Sequence, residues 1–203
     1  MRWLVVLAVL VLAVAAEAKT PIYFGLGGGE LKLQVNGNDG ESVSGYGLVG
    51  IELAPWVSLE LRAGTGAKSD RFGLDPFNSP ALFITHTRVA ADNYASALLK
   101  LRINETGRLR FYALAGGTDA TVTSTVDFSP VTPGGGSNSF SFRKNKSGLS
   151  TGIGAEAKLG DRWSVRGEYL RLFDSVEIGV PSGNSLQGSA SIGSYSAALV
   201  YRL

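Results

Sequence analysis

The sequence has few of the side chains on which most redox and metal sites are built. Its 203 residues include no cysteine, one histidine and one methionine, and the methionine is the first residue. Without cysteine the chain forms no disulfide and has no thiol for an N-terminal lipid anchor. We therefore predict that the protein holds no metal and no cofactor.

The sequence also lacks an excess of one charge and, beyond its first residues, a long apolar run. The formal net charge is +2, with no basic stripe and no acidic tail. This balance argues against nucleic acid as a partner. No segment after the N-terminus approaches the roughly 20 apolar residues that a transmembrane helix needs.

The N-terminus has the pattern of a secretory signal peptide. Met1 and Arg2 form a short basic start, and residues 3–14 form an unbroken apolar run. Ala16 and Ala18 then supply the small residues that a signal peptidase reads. We predict a signal peptide over residues 1–18 and a single exported domain over residues 19–203.

The dominant pattern in that domain is a period of two. Val57, Leu59 and Leu61 alternate with Ser58, Glu60 and Arg62, and similar alternation recurs near residues 95–103, 149–157 and 195–203. Strict alternation of apolar and polar residues is typical of a β-strand with two different faces. A helix would not separate the residues in this way.

Eight such segments are predicted, over residues 20–35, 42–54, 56–67, 92–103, 108–121, 146–159, 162–174 and 189–203. Short turns and long polar loops alternate between them, which is the pattern of a transmembrane barrel. We predict an all-β fold, a transmembrane eight-stranded antiparallel up-and-down β-barrel. The alternative is a soluble barrel or sandwich, in which the apolar faces would point inward.

Two details of the pattern carry further expectations. The apolar phase changes within strand one, from Ile22, Phe24 and Leu26 to Leu31, Leu33 and Val35. We expect either a bulge at residues 27–29 or a strand that ends there. Aromatic residues also cluster near the predicted borders of the membrane, which suggests two interfacial girdles. These residues are Trp56, Trp163 and Tyr201 beside the short turns, and Tyr46, Tyr94, Phe173 and Tyr195 toward the long loops.

Residues 45–61, with the letters GYGLVGIELAPWVSLEL, and the alternating last strand carry a family resemblance. The chain resembles the small outer-membrane β-barrel family, the porin-like barrel domain shared by OmpA-type and OmpX-type proteins. The resemblance implies a place in the cell outer membrane of a Gram-negative bacterium, after export to the periplasm. It also implies that the last strand is read by the outer-membrane assembly machinery. That C-terminal signal comprises Tyr195, Leu199, Tyr201 and Leu203, although Leu203 stands where the family usually has an aromatic residue.

Charged residues on the polar face of the strands are predicted to point into the barrel. They are Glu52, Glu60, Arg62, Lys100, Arg110, Glu156, Arg166 and Glu168. Buried charges must pair, and the interior of eight strands is just wide enough for side chains to fill. We favour a lumen ion-pair network that plugs the barrel. The alternative is a gated conduit in which these pairs rearrange.

Enzyme chemistry is not expected. A nucleophile needs a base within reach, and the chain has one histidine, His86, in the second long loop. It lacks the His-x-Ser pattern of outer-membrane deacylases. The glycine-rich strings at residues 25–29 and 64–69 are not followed by a helix, so neither is a nucleotide-binding motif.

The long loops are the predicted seat of any specific activity. Alternation within residues 121–126 and 139–142 suggests that strands five and six project beyond the membrane as a hairpin whose edge pairs with a partner strand. The alternative is a mobile loop. Arg143, Lys144, Lys146 and Arg171 are positioned to contact lipopolysaccharide phosphates. The sequence thus leaves two functions open: a structural or surface-interaction barrel that presents its loops to a surface or host ligand, and a narrow channel for small solutes.

Overall fold

The computed structural model describes residues 21–35, 38–66, 83–104, 107–130, 138–178 and 186–203. The predicted signal peptide lies outside these residues. Eight strands make up the fold: β1 (Ile22–Val35), β2 (Asn38–Ala54), β3 (Val57–Gly66), β4 (Phe83–Arg102), β5 (Leu109–Pro130), β6 (Asn138–Lys158), β7 (Trp163–Ile178) and β8 (Leu186–Arg202). Among the described residues, no helix has the length and apolar character needed to span a membrane.

The strands close into one antiparallel barrel. Each strand pairs with its neighbours in sequence, and β1 pairs with β8 from Tyr23 opposite Arg202 to Val35 opposite Ala190. Closure leaves no strand edge within the ring, which a bilayer requires because hydrocarbon offers no hydrogen-bond partner to the backbone. The predicted all-β, eight-stranded barrel is confirmed.

The short turns are built by specific local contacts. Between β4 and β5, the side chain of Asn104 donates to the carbonyl of Leu109 at 2.9 Å and accepts from the amide of Phe111 at 2.6 Å. Gly107 in the same turn has a φ of 104°, a left-handed conformation that strongly favours glycine. These turns lie on the periplasmic side in barrels of this kind.

The outward face of the barrel is apolar over a membrane-like band. Leu26, Phe24, Phe111 and Ile153 are 75%, 44%, 49% and 64% exposed, a pattern that a soluble protein would not tolerate over a whole surface. At the short-turn border the rings of Trp163 and Tyr201 lie 4.8 Å apart, as expected for an interfacial girdle.

The second girdle was predicted wrongly in part. Tyr46 and Tyr94 are buried in the lumen, whereas Tyr195 is exposed on the outer surface. The side chain of Phe173 lies outside the described part of the chain. Tyr46 and Tyr94 occupy inward-facing positions of their strands, as Arg62 and other lumen residues do. The alternation along the strand decides whether a side chain points inward or outward, and its height in the membrane does not.

The expected irregularity in β1 is absent. Strand β1 keeps one unbroken register with both β2 and β8 from its first residues to Val35, without a bulge at residues 27–29 and without an end there. Leu31 is buried in the lumen, on the same face as Tyr23. The apolar phase changes because the strand leaves the membrane. Its outward positions are then Glu30 and Lys32, and its inward positions are apolar because this part of the lumen lies above the charged residues.

Three strands continue far beyond the length that a bilayer requires. Strands β4, β5 and β6 have 20, 22 and 21 residues, against the roughly 9–11 residues of a tilted spanning strand. The projecting hairpin of strands five and six is confirmed, and β4 joins it because its residues 83–91 pair with β5. We call this extension the projecting sheet, formed by residues 83–93, 121–130 and 138–150. His86 therefore lies in a strand rather than a loop.

Glycines allow the strands to approach closely where the barrel curves. A Cβ atom built at Gly116 in β5 would overlap the carbonyl oxygen of Ala97 in β4. Gly152 meets the carbonyl of Tyr169 in the same way, whereas Gly167 in β7 has open space around it. The close approach at Gly116 thus depends on the absence of a side chain.

We predict that Gly116→Ala destabilises the barrel, because the added methyl group must push β4 and β5 apart. The free energy of unfolding should fall by about 1–3 kcal/mol, the usual effect of overpacking. Urea unfolding of the refolded protein, followed by the heat-dependent shift in electrophoretic mobility, measures this change. Gly167→Ala is the matched control, and an equal effect of both variants would contradict the explanation.

Candidate functional site

Among the described residues, the middle of the lumen contains six charged side chains that are almost completely removed from solvent. Three are acids and three are bases, and none is more than 6% exposed. We call these residues the lumen ion-pair cluster: Glu60, Arg62, Lys100, Glu156, Arg166 and Glu168. All six follow the inward phase of their strands, and their charges balance.

One half of the cluster is organised around Glu60. Its Oε1 accepts from the hydroxyl of Tyr23 at 2.7 Å and from Arg166 at 2.6 Å. Its Oε2 accepts two hydrogen bonds from Arg62. Arg62 also donates to both oxygens of Glu168 at 2.5 and 3.1 Å, so its guanidinium bridges two carboxylates. This bidentate geometry is the strongest form of ion pair.

The other half is organised around Glu156. Its Oε2 accepts from Lys100 at 2.6 Å and from the Nε of Arg166 at 3.0 Å, while Oε1 accepts from Ser164 at 2.9 Å. Arg166 stands directly opposite Glu156 in the register of β6 and β7, whereas Lys100 reaches it from β4. Because Arg166 also pairs with Glu60, it joins the two halves.

Four tyrosines surround the cluster, and each lies over a glycine of the adjacent strand. The register places Tyr23 opposite Gly50, Tyr46 opposite Gly27, Tyr94 opposite Gly64 and Tyr112 opposite Gly154. At every one of these glycines a Cβ atom would collide with the tyrosine ring. The glycines thus provide the space that the rings fill, a pairing known to stabilise glycine positions in sheets.

The tyrosines also stabilise the cations. The Nζ of Lys100 lies 4.1 Å from the ring centre of Tyr112, and the guanidinium carbon of Arg166 lies 4.9 Å from that of Tyr23. Cations over aromatic faces are favoured, most strongly where water is excluded. The hydroxyl of Tyr112 donates to Glu168 at 2.5 Å, so the same ring serves both charges.

Above the cluster, toward the long loops, the lumen becomes neutral. A chain of hydroxyls crosses it: Ser96 and Thr118 are 2.7 Å apart, Thr118 and Ser150 are 2.7 Å apart, and Ser150 donates to the carbonyl of Leu172 at 2.9 Å. Buried apolar side chains lie on both sides of these hydroxyls: Leu114 and Leu170 between them and the cluster, and Leu31, Ala120 and Ile192 toward the extracellular end, each at most 4% exposed.

Below the cluster lies a second charged level at the periplasmic mouth. We call it the periplasmic rung, formed by Glu52, Arg102, Arg110, Lys158 and Arg202. Arg102 and Arg202 both pair with Oε1 of Glu52, the latter at 2.7 Å, and Arg102 also donates to the carbonyl of Pro55 at 2.8 Å. Arg110 and Lys158 lie within electrostatic range of the two arginines.

The structure therefore divides the eight charges expected in the lumen. Six form the lumen ion-pair cluster, while Glu52 and Arg110 belong to the periplasmic rung. The expected residues did not include Arg102, Lys158 and Arg202. They face inward because they continue the alternation of Lys100 in β4, Glu156 in β6 and Ala198 in β8, respectively. The period-two pattern contained that signal, and extending it to the strand ends would have found them.

The remaining expected residues lie outside the barrel or beyond the described side chains. Tyr195, Leu199 and Leu203 are exposed at 51%, 45% and 70%, and Tyr201 packs beside Trp163 on the same outer face. Recognition of these four residues by the assembly machinery stays a prediction. The backbone of His86 pairs with Asp127, and its side chain is outside the described residues.

The cluster is suited to filling and stiffening the lumen rather than to proton transfer on a substrate. Each acid is held by at least two donors, and the side chains are too buried for a substrate to reach. Within the described ranges, no group of three or more histidine, cysteine or acidic residues is placed to hold a metal ion.

We predict that Arg166→Met destabilises the barrel strongly. The substitution removes the link between the two halves and leaves Glu60 and Glu156 with one unbalanced negative charge. Removing one partner of a buried pair typically costs about 3–5 kcal/mol. Urea unfolding measures the change, and Lys32→Met, which breaks an exposed pair with Glu41 at the other end, is the control.

A second variant separates charge balance from packing. Arg166→Met combined with Glu156→Gln restores equal numbers of acids and bases, and we expect it to recover part of the lost stability. A double variant that is less stable than the sum of the two single effects would contradict a role for charge balance.

The comparisons with known proteins agree with this fold. The family model for the outer membrane protein beta-barrel domain matches residues 4–202. No curated protein matches the sequence significantly. Among solved structures, Neisserial surface protein A has a TM-score of 0.55 at 12% identity, over 90% of this chain and 97% of that chain. A major outer membrane protein from Thermus thermophilus has a TM-score of 0.55 at 14% identity, over 91% of this chain and 99% of that chain.

The attachment invasion locus protein Ail of Yersinia pestis is also similar, with a TM-score of 0.50 at 16% identity, over 91% of this chain and 99% of that chain. At such low identity these structures show the fold alone. The family model, in contrast, spans nearly the whole chain. This protein belongs to the outer membrane protein β-barrel domain family and is located in the bacterial outer membrane.

Proposed function

We propose that this protein is a closed barrel with a structural and surface-interaction role, whose lumen is plugged by ion pairs and whose projecting sheet contacts partners outside the cell. The projecting sheet is the observation that carries the proposal. A barrel that only stiffened the membrane would not need strands of 20 to 22 residues.

The filled lumen supports a closed barrel. The lumen ion-pair cluster, the four tyrosines over their glycines and the apolar extracellular end occupy successive levels of the interior. Water entering at one end would meet apolar side chains at the other. Eight strands leave no room for a permanent aqueous path beside so many side chains.

The free edge of β6 supports a surface interaction. Strand β6 pairs with β5 along almost its whole length, but in the described part of the chain it pairs with β7 only from Thr151 to Lys158. The ladder between β6 and β7 thus stops at Thr151, whereas the ladder between β6 and β5 continues toward the extracellular side as far as Asn138. Such an edge accepts an extended segment of another protein as an added strand.

Charged residues beside this edge support contact with lipopolysaccharide. Arg143 and Arg171 are exposed on the outward face, where the outer leaflet meets the projecting sheet. Lys144 and Lys146 share the inward phase with Ser150, so they border the inner face instead. Arginine forks match phosphate geometry, so Arg143 and Arg171 are the stronger candidates.

The outward residues of the last strand support a role in assembly. Tyr195, Leu199 and Leu203 present exposed apolar surface along one side of β8, beside Tyr201. We also propose that these four residues guide the insertion of the barrel into the outer membrane.

A narrow channel is the second candidate, and Lys100 is the observation that favours it. Its Nζ lies 2.6 Å from Glu156 and 3.8 Å from Glu60, so a small movement exchanges its ion-pair partner. An exchange of this kind would alter the packing at the centre of the lumen.

The lone His86 gives no support to a catalytic role.

Conductance distinguishes a closed barrel from a channel. We expect the refolded protein to be silent in a planar bilayer, and Lys100→Met to lower stability without creating steady openings. Lys32→Met, which removes an exposed charge at the extracellular end, serves as the control. If the wild type shows steady openings, and if Lys100→Met abolishes them or raises their conductance, the lumen is a conduit and the proposal of a closed barrel is wrong.

Attachment of whole cells tests the role of the projecting sheet. Replacing residues 122–145 with a short Gly-Ser turn should leave a folded barrel but reduce the retention of expressing cells on cultured epithelial monolayers and on glass at least several-fold. Replacing residues 131–137 alone is the control, since it keeps the paired strands. Ser139→Lys with Ser141→Lys adds charge along the free edge and should also reduce retention.

Equal retention of all these variants, at equal amounts of folded protein on the surface, would refute the surface role. Loss of retention in the 122–145 variant but not in the two-lysine variant would keep a surface role and refute the edge of β6 as its site.

A further inference from the structure

The periplasmic rung has an imbalance of charge that the lumen ion-pair cluster does not have. Four cations, Arg102, Arg110, Lys158 and Arg202, share this level with one carboxylate, Glu52, among the described residues. Glu156 is the next acid inward and stands opposite Arg110 in the register of β5 and β6. Lys100, Arg166 and Ser164 already donate to Glu156, and Arg202 approaches it only to 3.9 Å.

Buried donors in the periplasmic rung also lack partners. The Nε atoms of Arg102, Arg110 and Arg202 are all removed from solvent and make no hydrogen bond within the described part of the chain. Of the three residues, Arg102 is the most deeply buried, at 8% exposure. Unpaired buried donors are unfavourable, and three at one level indicate a missing acceptor.

The position of these residues restricts what the acceptor is. The side chains point into the mouth of the barrel, so lipids around the outer surface do not reach them. Arg202 retains 24% side-chain exposure, which leaves the mouth open toward the periplasm. Inward, the lumen ion-pair cluster blocks further entry. The periplasmic rung is therefore a level of cations inside the barrel that is approached from the periplasm.

We propose that the periplasmic rung is a binding site for a small soluble oxyanion of the phosphate class. Arg102 and Arg202, fixed by Glu52, hold the rear of the site, while Arg110 and Lys158 close over the anion from β5 and β6. A multivalent anion neutralises the excess positive charge and accepts from the guanidinium groups in forked geometry.

Inorganic phosphate and pyrophosphate are the probes. In zwitterionic detergent, each should bind the refolded full chain saturably by titration calorimetry and should raise its unfolding midpoint relative to chloride at equal ionic strength. Arg110→Gln with Lys158→Gln should weaken binding at least tenfold. This variant is expected to fold, because both residues lie at the open mouth and outside the lumen ion-pair cluster. Lys32→Gln with Arg162→Gln removes the same charge from exposed positions outside the periplasmic rung and should bind as the wild type does.

Glu52→Gln provides an independent test, because it removes the carboxylate that competes with the anion for Arg102 and Arg202. This variant should bind phosphate more tightly than the wild type. Binding that is absent, that falls equally in the control pair, or that weakens in a folded Glu52→Gln variant would overturn the site.

The source of the phosphate group is tested in nanodiscs. Binding should be equal in phosphatidylcholine and in phosphatidylglycerol, since the periplasmic rung faces the lumen rather than the lipid. If phosphatidylglycerol competes with phosphate in the wild type but not in Arg110→Gln with Lys158→Gln, the periplasmic rung binds a lipid headgroup. That result would overturn the assignment to a soluble anion.

Discussion

The structure depends on the need to satisfy every backbone amide and carbonyl inside a hydrocarbon layer. A sheet meets this need only by closing on itself, because an open edge would leave a row of groups without partners. Eight strands close into a ring whose interior is filled by side chains. Closure then imposes the second constraint, since any charge on the inward face loses its water and must find a partner within the ring. The balanced set of three acids and three bases, joined through Arg166, meets that constraint.

Glycine and tyrosine together make this arrangement fit. A ring with many large inward side chains would be overfilled, so tyrosines alternate with glycines across strand pairs, and each ring occupies the space above the glycine opposite. The aromatic faces and hydroxyls then contribute to the same electrostatics: Tyr112 lies beside Lys100 and donates to Glu168. The glycines opposite these four tyrosines, and Gly116 and Gly152 at the close strand approaches, are thus required by packing.

Much of the fold was predictable because the period of two reports which face each residue occupies. That phase alone assigns Glu60, Arg62, Lys100, Glu156, Arg166 and Glu168 to the lumen, where all six are buried. The partners of these residues were not predictable, since they depend on the shear of the barrel, which relates strands distant in sequence such as those of Arg62 and Glu168. The errors in β1 and at Tyr46 and Tyr94 share one cause. Apolar and aromatic residues were assumed to face outward along the whole strand, whereas Leu31, Tyr46 and Tyr94 all point inward.

The levels of the barrel differ in how well their polar groups are satisfied, and this difference separates structure from function. The lumen ion-pair cluster is nearly complete, with one atom, the second terminal nitrogen of Arg166, left without a partner in the described residues. The ends of the barrel are less complete over the same residues: the ladder between β6 and β7 stops at Thr151 while β6 continues into the projecting sheet, and the periplasmic rung has three arginine Nε atoms without acceptors. A satisfied interior gains little from a further partner, whereas unsatisfied groups at the two ends still gain from one. This difference is the physical reason for proposing a closed middle and recognition at the ends.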